Sequence, residues 1–399
     1  MTSSYSTDIV IFGGGIAGLW LLNRLRDKGY RTILLETNTL GSGQTLASQG
    51  IIHGGLKYAL NGTLTGAANV IAGMPAYWRS CLNGTGEVDL TTCKVLSDHY
   101  YMWSEAGIRS KLKTFLGSKS LQGRVEPVPK GEYPSFFKAA TVAGTLYKLP
   151  DFVVDTSSLL QALTKKYHDY IFKIDSHAYA FERNNAGQVN AVTVANSEQT
   201  FRIEMQNIIF SAGEGNQELI NKAELKAPKS QVRPLKMVFL KQENLPRIFV
   251  HCIGSGFSLT PKLTVTSHTD SDGCTVWYLG GELAESGVGL NDAEQINAAK
   301  ILLGSVFPWI DLSSAQWQCF TINRAEANIN NDYRPEDAYI KEEDNILVAW
   351  PTKLTLTPSL ADKVIQHLVE KSLVPMAVTN NEELSSVLEA ANIGSANWD

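Results

Sequence analysis

Three glycines near the start of the sequence have the spacing G-x-G-x-x-G: Gly13, Gly15 and Gly18. In this pattern the first glycine permits a tight turn, the second lets the backbone approach a pyrophosphate, and the third allows a helix to pack closely on a strand. Glu36 follows at a distance where a carboxylate accepts hydrogen bonds from ribose hydroxyls and disfavours a 2′-phosphate. The chemistry that these residues indicate is the binding of a dinucleotide.

The elements around these residues are predicted by their apolar patterns. Residues 9–12 form a short apolar run typical of a buried parallel strand, and residues 32–35 form a second one. Between them Ala17, Leu21 and Leu25 repeat at helical spacing. The pattern predicts a β-α-β unit whose helix N-terminus directs free N–H groups at the diphosphate.

A glycine-rich stretch then indicates which dinucleotide binds. Gly41, Gly43, Gly50, Gly54 and Gly55 follow Glu36 with small polar residues between them. A nicotinamide enzyme has no need of this extra backbone, whereas FAD continues past its diphosphate into a ribityl chain and a flat three-ring flavin. The stretch therefore favours FAD. The sequence has no second complete G-x-G-x-x-G, which disfavours a built-in NAD(P)H site.

Length and composition bound the remaining possibilities. A chain of 399 residues is long for one core, so we expect two domains. The net charge of −5 without long basic runs argues against nucleic-acid binding. We expect no signal peptide and no membrane-spanning helix, and the scattered cysteines Cys81, Cys93, Cys252, Cys274 and Cys319 predict a cytoplasmic protein without a structural metal.

Three segments resemble those of a known family. "SQGIIHGGLKY" (residues 48–58) resembles the segment after the first β-α-β unit of FAD-dependent glycerol-3-phosphate dehydrogenases and 2-hydroxyglutarate oxidases. "WPTKLTLTPSLADKVI" (350–365) is similar to the segment that passes the flavin there, and "IIFSAGEGNQELI" (208–220) resembles a strand and turn ending in Ala-Gly. These enzymes share the glutathione-reductase-type FAD fold with glycine, sarcosine and D-amino-acid oxidases.

The resemblance implies an α/β fold, in which an antiparallel-sheet substrate domain is inserted into a Rossmann-like FAD-binding domain. The FAD-binding domain would comprise residues 1–75, 150–230 and 325–378, and the substrate domain residues 76–149 and 231–324. Residues 379–399 would form a C-terminal tail helix, because Leu384, Val387, Leu388 and Ala391 repeat at helical spacing. Turn-separated apolar runs within 231–280 predict antiparallel strands, and residues 291–303 a helix.

The same resemblance implies a set of FAD-binding residues spread along the chain. They are Gly13, Gly15, Ile16, Ala17, Gly18, Glu36, Thr37, Gly43, Gln44, Thr45, Ser48, Gln49, Gly50, Ile51, Ala178, Ala212, Gly213, Pro351, Thr352, Lys353, Leu354 and Thr355.

The last helix can be predicted without the family. Thr357 can cap it with Pro358 at its first position, and Leu360, Val364 and Leu368 belong to its apolar face. In a flavin site this helix start and the nearby Lys353 would stabilise the anionic reduced flavin.

Four cations matched to the family imply an anionic substrate. Lys57 and Tyr58 take the place of an Arg-Tyr pair that resembles an anion clamp, and Arg324, Arg334 and Lys353 match further cations. A carboxylate or phosphate would partner these charges. Lysine at position 57 lacks the bidentate fork of arginine, which argues against glycerol 3-phosphate itself.

Candidates for a catalytic base are His53, His251 and His268, and Tyr278 is a candidate for orienting the substrate. An alcohol substrate requires a base to take its hydroxyl proton, whereas a neutral amine does not. The sequence excludes a cysteinyl flavin link in the C-terminal flavin segment, which has no Cys, and leaves a histidyl link open.

We therefore predict an FAD-dependent oxidoreductase, an oxidase or dehydrogenase of a small anionic 2-hydroxy or 2-amino acid, with hydride transfer to flavin N5. Oxygen, a quinone or another soluble acceptor would take the electrons. The alternatives are a relative of glycerol-3-phosphate dehydrogenase, a non-catalytic flavin-binding redox sensor, and a nicotinamide dehydrogenase.

Overall fold

The computed structural model describes residues 4–55, 66–105, 125–195, 200–254, 261–329, 335–375 and 384–399. Helices and strands are mixed along the chain, which confirms the predicted α/β class. The described strands are β1 (Ser4–Ser6), β2 (Ile9–Phe12), β3 (Thr32–Glu36), β4 (Ile51–Ile52), β5 (Val95–Ser97), β6 (Tyr100–Glu105), β7 (Glu126–Pro127), β8 (Gly144–Leu149), β9 (Phe152–Val154), β10 (Ile171–Lys173), β11 (Tyr179–Arg183), β12 (Val189–Ala195), β13 (Thr200–Glu204), β14 (Asn207–Phe210), β15 (Ser230–Lys241), β16 (Val250–Ile253), β17 (Leu263–Thr269), β18 (Thr275–Gly280), β19 (Gln316–Ala327), β20 (Tyr339–Glu343) and β21 (Ile346–Trp350).

The helices lie mostly between strands. The described helices are α1 (Ile16–Asp27), α2 (Gly66–Leu82), α3 (Ser135–Lys138), α4 (Thr156–Lys165), α5 (Asn216–Lys222), α6 (Glu282–Ser286), α7 (Asp292–Val306) and α8 (Thr357–Glu370). No helix among the described residues is long and apolar enough to cross a membrane.

The predicted β-α-β unit lies in the centre of a largely parallel sheet. Within the described ranges this sheet has the order β10-β3-β2-β14-β21-β20, and only β20 runs antiparallel to its neighbour. All four residues of β2 are buried because both faces of the sheet are covered. Ile9 and Ile11 belong to the core formed with α1 and α8, and Val10 and Phe12 face a smaller sheet of order β1-β13-β12-β11.

A second large sheet is mostly antiparallel. Its described strands have the order β19-β15-β18-β17-β16-β6-β8-β7, and the long strands β15 and β19 pair from Ser230↔Ala327 to Lys241↔Gln316. Helix α7 packs on this sheet through Ala299 and Leu303. The strands predicted within 231–280 are therefore confirmed, and they contribute a wall to the site described below.

The division into two domains at the predicted residues stays a prediction, and the predicted boundary at residue 75 falls within a helix. Helix α2 runs across residue 75, and its Trp78 packs on Trp20 of α1 with ring centroids 4.9 Å apart. A boundary at residue 75 would therefore fall within one helix of a shared core.

Two local predictions differ from the structure. Thr357 does not cap α8: Leu356 is the N-cap after a 3₁₀ turn at Leu354–Leu356, and the Thr357 hydroxyl donates to the Leu354 carbonyl at 2.8 Å. The buried face of α8 is as expected.

In the described part of the tail, residues 384–399, a 3₁₀ turn at Leu384–Ser386 takes the place of the predicted helix. The backbone beyond it bonds to other segments, because Leu40 donates to Asn392 and Gly394 donates to Leu40. These contacts, and burial of Trp398, compete with helix formation.

Candidate functional site

A deep cleft of about 650 Å³ opens at the carboxyl ends of the parallel strands. Gly13 follows β2, Glu36 ends β3, Ser211 follows β14 and Trp350 ends β21, and all four line the cleft. The opposite wall comes from β15 and β19 of the antiparallel sheet. Ligands of open α/β sheets bind at this edge, and the volume falls within the range of roughly 300–1,000 Å³ that ligand sites occupy.

The glycine turn brings bare backbone to the cleft. Gly13 has φ +109°, and a Cβ there would lie 2.5 Å from Ala212 Cα. A Cβ on Gly18 would lie 1.9 Å from the Gly13 carbonyl oxygen, so Gly18 holds α1 against the turn and does not line the cleft. Helix α1 begins at Ile16 with no side-chain cap at Gly15. Its start is thus suited to an anion.

Glu36 is anchored beside this turn. One carboxylate oxygen accepts from the Gly14 N–H at 2.5 Å and the other from the Asn38 N–H at 2.7 Å. The carboxylate lines the cleft and keeps lone pairs on both oxygens for further donors. This is the arrangement that an acceptor of ribose hydroxyls requires.

The glycine-rich stretch connects the turn to the antiparallel sheet. Thr45 Oγ1 accepts from the Ile16 N–H at 2.9 Å, and Gln44 Oε1 accepts from the Ala325 N–H at 3.2 Å. Tyr278, a candidate for orienting substrate, is fully buried and donates its hydroxyl to the Ala47 carbonyl at 2.7 Å. Tyr278 therefore holds the glycine-rich stretch in place.

Most of the predicted FAD-binding residues meet in this one cleft, although they come from four separate parts of the sequence. Gly18, Thr355 and Ala178 do not line it; Thr355 is buried behind it, and Ala178 lies on the turn before β11. The predicted residues that line the cleft are Gly13, Gly15, Ile16, Ala17, Glu36, Thr37, Gly43, Gln44, Thr45, Ser48, Gln49, Gly50, Ile51, Ala212, Gly213, Pro351, Thr352, Lys353 and Leu354.

The structure adds lining residues that were not among the predicted FAD-binding residues. Neighbours within the glycine-rich stretch could have been found from the same signal, whereas those on β15 and β19 depend on strand pairing that no motif reveals. They are Asn38, Thr39, Gly41, Ser42, Ala47, Ser211, Glu214, Gly215, Arg233, Leu235, Met237, Ile322, Asn323, Ala325, Glu326 and Trp350.

Two arginines lie opposite each other on the antiparallel wall. Arg324 of β19 pairs in register with Arg233 of β15, and both line the cleft. Arg233 makes a bidentate ion pair with Glu326, with N···O distances of 2.7 and 3.1 Å, whereas Arg324 lies 3.4 Å from the half-exposed Glu285. Lys57, Tyr58 and Arg334 lie outside the described residues.

The three candidate histidines occupy different positions. Among the described histidines only His53 lines the cleft. His268 is buried below the ring of Trp398, 4.6 Å between centroids, and burial lowers its pKa to about 4. His251 donates to or accepts from Thr264 Oγ1 through Nδ1 at 3.1 Å.

His53 and His251 flank a buried carboxylate, Asp151, which the sequence analysis missed. His53 Nδ1 lies 3.3 Å from Asp151 Oδ2, and the Gly54 N–H donates to Oδ1 at 2.8 Å. Burial alone would raise the pKa of Asp151, but its hydrogen bond with His53, the charge of that ring and the Gly54 N–H together lower it.

The nitrogen and oxygen atoms of His53, Asp151 and His251 lie within 4.8 Å of one another, close enough to be considered as metal ligands. Because the His53–Asp151 hydrogen bond already uses two of the three groups, we interpret the trio as a hydrogen-bonded cluster.

Comparison with known proteins gives a consistent result. The family model described as FAD dependent oxidoreductase (DAO) matches residues 8–349. The protein named "Probable FAD-dependent oxidoreductase PA4991" of Pseudomonas aeruginosa is 42% identical over 376 residues, 94% of each chain. Its crystal structure superposes with a TM-score of 0.84 at 36% identity, covering 100% of this chain and 99% of that one.

More distant structures share the fold. Glycine oxidase from Geobacillus kaustophilus gives a TM-score of 0.64 at 15% identity, with 94% of this chain and 97% of that chain covered. The L-α-glycerophosphate oxidase of Mycoplasma pneumoniae with FAD bound gives 0.66 at 14% identity, with 91% and 95% covered. The start of helix α1 at the cleft, the bare glycine turn and the Glu36 carboxylate fit such a cofactor.

Proposed function

Because this chain belongs to the family of FAD-dependent oxidoreductases, we propose that it oxidises a small anionic 2-hydroxy or 2-amino acid in the cleft between its two large sheets. The observation that carries the proposal is Arg324. Arg324 lines the cleft, and its side chain is 28% exposed, beside a glutamate side chain that is itself 48% exposed. Such a solvent-screened pair contributes little, so a substrate carboxylate can replace Glu285 as one of the partners of Arg324.

The residues around Arg324 define what else this end of the cleft can do. The apolar side chains of Leu235, Met237 and Ile322 line it and would exclude water from a bound substrate. This strengthens the electrostatic attraction between Arg324 and the substrate anion. Arg233 keeps Glu326 neutralised. Lys353 lines the cleft ahead of α8, where its charge favours an electron-rich ligand. Bound FAD supplies the two-electron acceptor.

Arg324→Ala tests this assignment. Loss of a charge-assisted hydrogen bond costs about 1.5–3 kcal/mol, so we expect kcat/KM for the anionic substrate to fall roughly 10- to 100-fold, mainly through KM, with the flavin retained. Arg247→Ala is the control, because Arg247 bonds to Thr269 and Ser267 away from the cleft. Unchanged kinetics in Arg324→Ala would place the anion site elsewhere.

The first experiment is an anaerobic absorbance titration of the purified protein with 2-hydroxy acids, D- and L-amino acids and glycerol 3-phosphate. Bleaching of the flavin bands by an acid supports the proposal. Bleaching by glycerol 3-phosphate alone would favour a glycerophosphate-type enzyme, the alternative that the "SQGIIHGGLKY" segment and the glycerophosphate oxidase fold support. Flavin that no compound bleaches would favour a redox sensor.

The electron acceptor and the compartment belong to the same proposal. We propose that oxygen, a quinone or another soluble acceptor reoxidises the flavin. A hydrogen peroxide assay distinguishes an oxidase, which uses oxygen, from a dehydrogenase. The cysteine spacing, without a disulfide pattern, supports a cytoplasmic location.

A further inference from the structure

His53 is held at the cleft by its own backbone. Its N–H donates to the buried Thr355 Oγ1 at 2.9 Å, which fixes the residue to the turn between Lys353 and α8. The side chain lines the cleft and is 37% exposed. A titratable ring is thus presented to a bound substrate from a rigid part of the fold.

Asp151 fixes the tautomer of this ring. Asp151 is 2% exposed, and a buried charge is costly without partners. Its partners are His53 Nδ1 and the Gly54 N–H. Since an ionised carboxylate only accepts, Nδ1 of neutral His53 must carry the proton, and the other ring nitrogen, Nε2, keeps its lone pair. A nitrogen in this state can accept a proton.

His251 lies beside the His53–Asp151 pair and does not disfavour proton transfer to His53. Its ring is nearly parallel to that of His53 at 13°, with centroids 6.0 Å apart, and also contacts Tyr100 at 4.4 Å. Burial lowers the pKa of His251 to about 3, so the ring is neutral near pH 7. His251 therefore adds no positive charge that would repel a protonated His53. Of the cations that line the cleft, Lys353 is the one nearest in sequence to Thr355, which accepts from the His53 N–H.

We propose that Asp151 positions His53 as the proton acceptor of the reaction, and that the substrate is consequently a 2-hydroxy acid. This inference rests on the function proposed above. A neutral amine can be oxidised without a protein base, whereas an alcohol must lose its hydroxyl proton. Bound FAD would supply the two-electron oxidant that takes up the proton and electron pair of the broken C2–H bond. The O–H proton passes to His53 Nε2, and the C–O bond becomes the C=O bond of a 2-oxo acid.

Matched substrate pairs test the choice of reacting group. Lactate with alanine, and 2-hydroxyglutarate with glutamate, each as both enantiomers, are added anaerobically to the holoprotein. We expect a hydroxy acid to bleach the flavin at least about 100-fold faster than its amino counterpart. A faster amino acid overturns this inference and leaves the proposed function intact; no bleaching by any member contradicts both.

Asp151→Asn tests the positioning role with a readout besides activity. The amide oxygen would still accept from Gly54, so its NH₂ group would donate to Nδ1 and force the proton onto Nε2. We expect ¹⁵N-histidine NMR of the holoprotein, with the His53 signal assigned through His53→Gln, to show this tautomer. We also expect bleaching by the hydroxy acid to slow about 100-fold or more at unchanged flavin content.

Asp155→Asn is the matched control, because Asp155 also accepts from a backbone N–H, that of Ser158 at 2.8 Å, and asparagine caps helices equally well. It should leave the tautomer and the rate unchanged. A rate loss in Asp151→Asn without a change of tautomer would assign Asp151 a purely structural role and overturn the proposal.

Discussion

At the scale of single residues, Glu36 combines two functions that one substitution can separate. Its carboxylate closes the glycine turn through Gly14 and the following turn through Asn38, while lining the cleft. A ligand's ribose would add hydrogen bonds to oxygens already oriented by the backbone. The predicted role of Glu36 in binding FAD therefore depends on its charge as well as on its shape.

Glu36→Arg should weaken FAD binding, because it removes the acceptor and places a cation among N–H donors. Loss of hydrogen bonds to a charged group costs about 1.5–3 kcal/mol, so we expect the Kd for FAD to rise roughly 10- to 100-fold, measured by reconstitution of apoprotein. Glu36→Gln, which keeps one acceptor oxygen, should lie between. An unchanged flavin-to-protein ratio in Glu36→Arg would rule out the assignment.

Local sequence explains why Glu36 and the glycine turn could be predicted and Asp151 could not. The turn, its helix and the carboxylate lie within one β-α-β unit whose periodicity is readable. Asp151 meets His53 only because β9 pairs with β4, and Arg233 meets Arg324 only through the pairing of β15 with β19. Contacts between such distant segments leave no local pattern.

At the scale of elements, the two best-defined helix starts show how side chains compete for caps. The helix predicted over residues 291–303 is α7, Asp292–Val306, with Asn291 and Glu294 forming a capping box. At α8 the Thr357 hydroxyl bonds back to Leu354, a choice that hydroxyls near a preceding turn often make. Sequence pattern thus predicted both helices, but the cap that it predicted at Thr357 was wrong and the cap at Asn291 was not predicted.

Asn291→Ala should lower the free energy of unfolding by about 1 kcal/mol, because the Glu294 N–H at the start of α7 loses the Asn291 side chain as its acceptor. Urea denaturation measures the change. Glu294→Gln is the control, since glutamine preserves the capping box. A loss of flavin in Asn291→Ala, which lies outside the cleft, would contradict the purely local role.

At the scale of the whole molecule, residues 384–399 connect the two large sheets. Leu384 and Leu388 belong to the core beside the parallel sheet, whereas Trp398 packs on Tyr278 and His268 of the antiparallel sheet. The same segment bonds to Leu40, next to the cleft-lining glycine-rich stretch. Burial of His268 beneath Trp398 makes this arrangement sensitive to acid.

The free energy of unfolding should decrease as pH falls from about 6.5 to about 4. Burial lowers the pKa of His268 to about 4 in the folded protein, so within this window the unfolded chain binds a proton that the folded chain does not. The loss from His268 is at most about 3.4 kcal/mol. Thermal melts should show a shallower pH dependence of stability in His268→Gln, and the dependence that remains comes from His251. The exposed control His168→Gln should have the same pH dependence as the unchanged protein.

The order of the parallel sheet has a consequence for synthesis of the chain. Strand β2 lies between β3 and β14, so while a ribosome makes the protein, one edge of residues 9–12 has no native partner until residues 207–210 emerge. Strand β14 in turn awaits β21, residues 346–350. Apolar strand edges that remain open this long are prone to pair wrongly. We therefore expect the nascent chain to depend on chaperones, and FAD to bind only after nearly the whole chain has been translated.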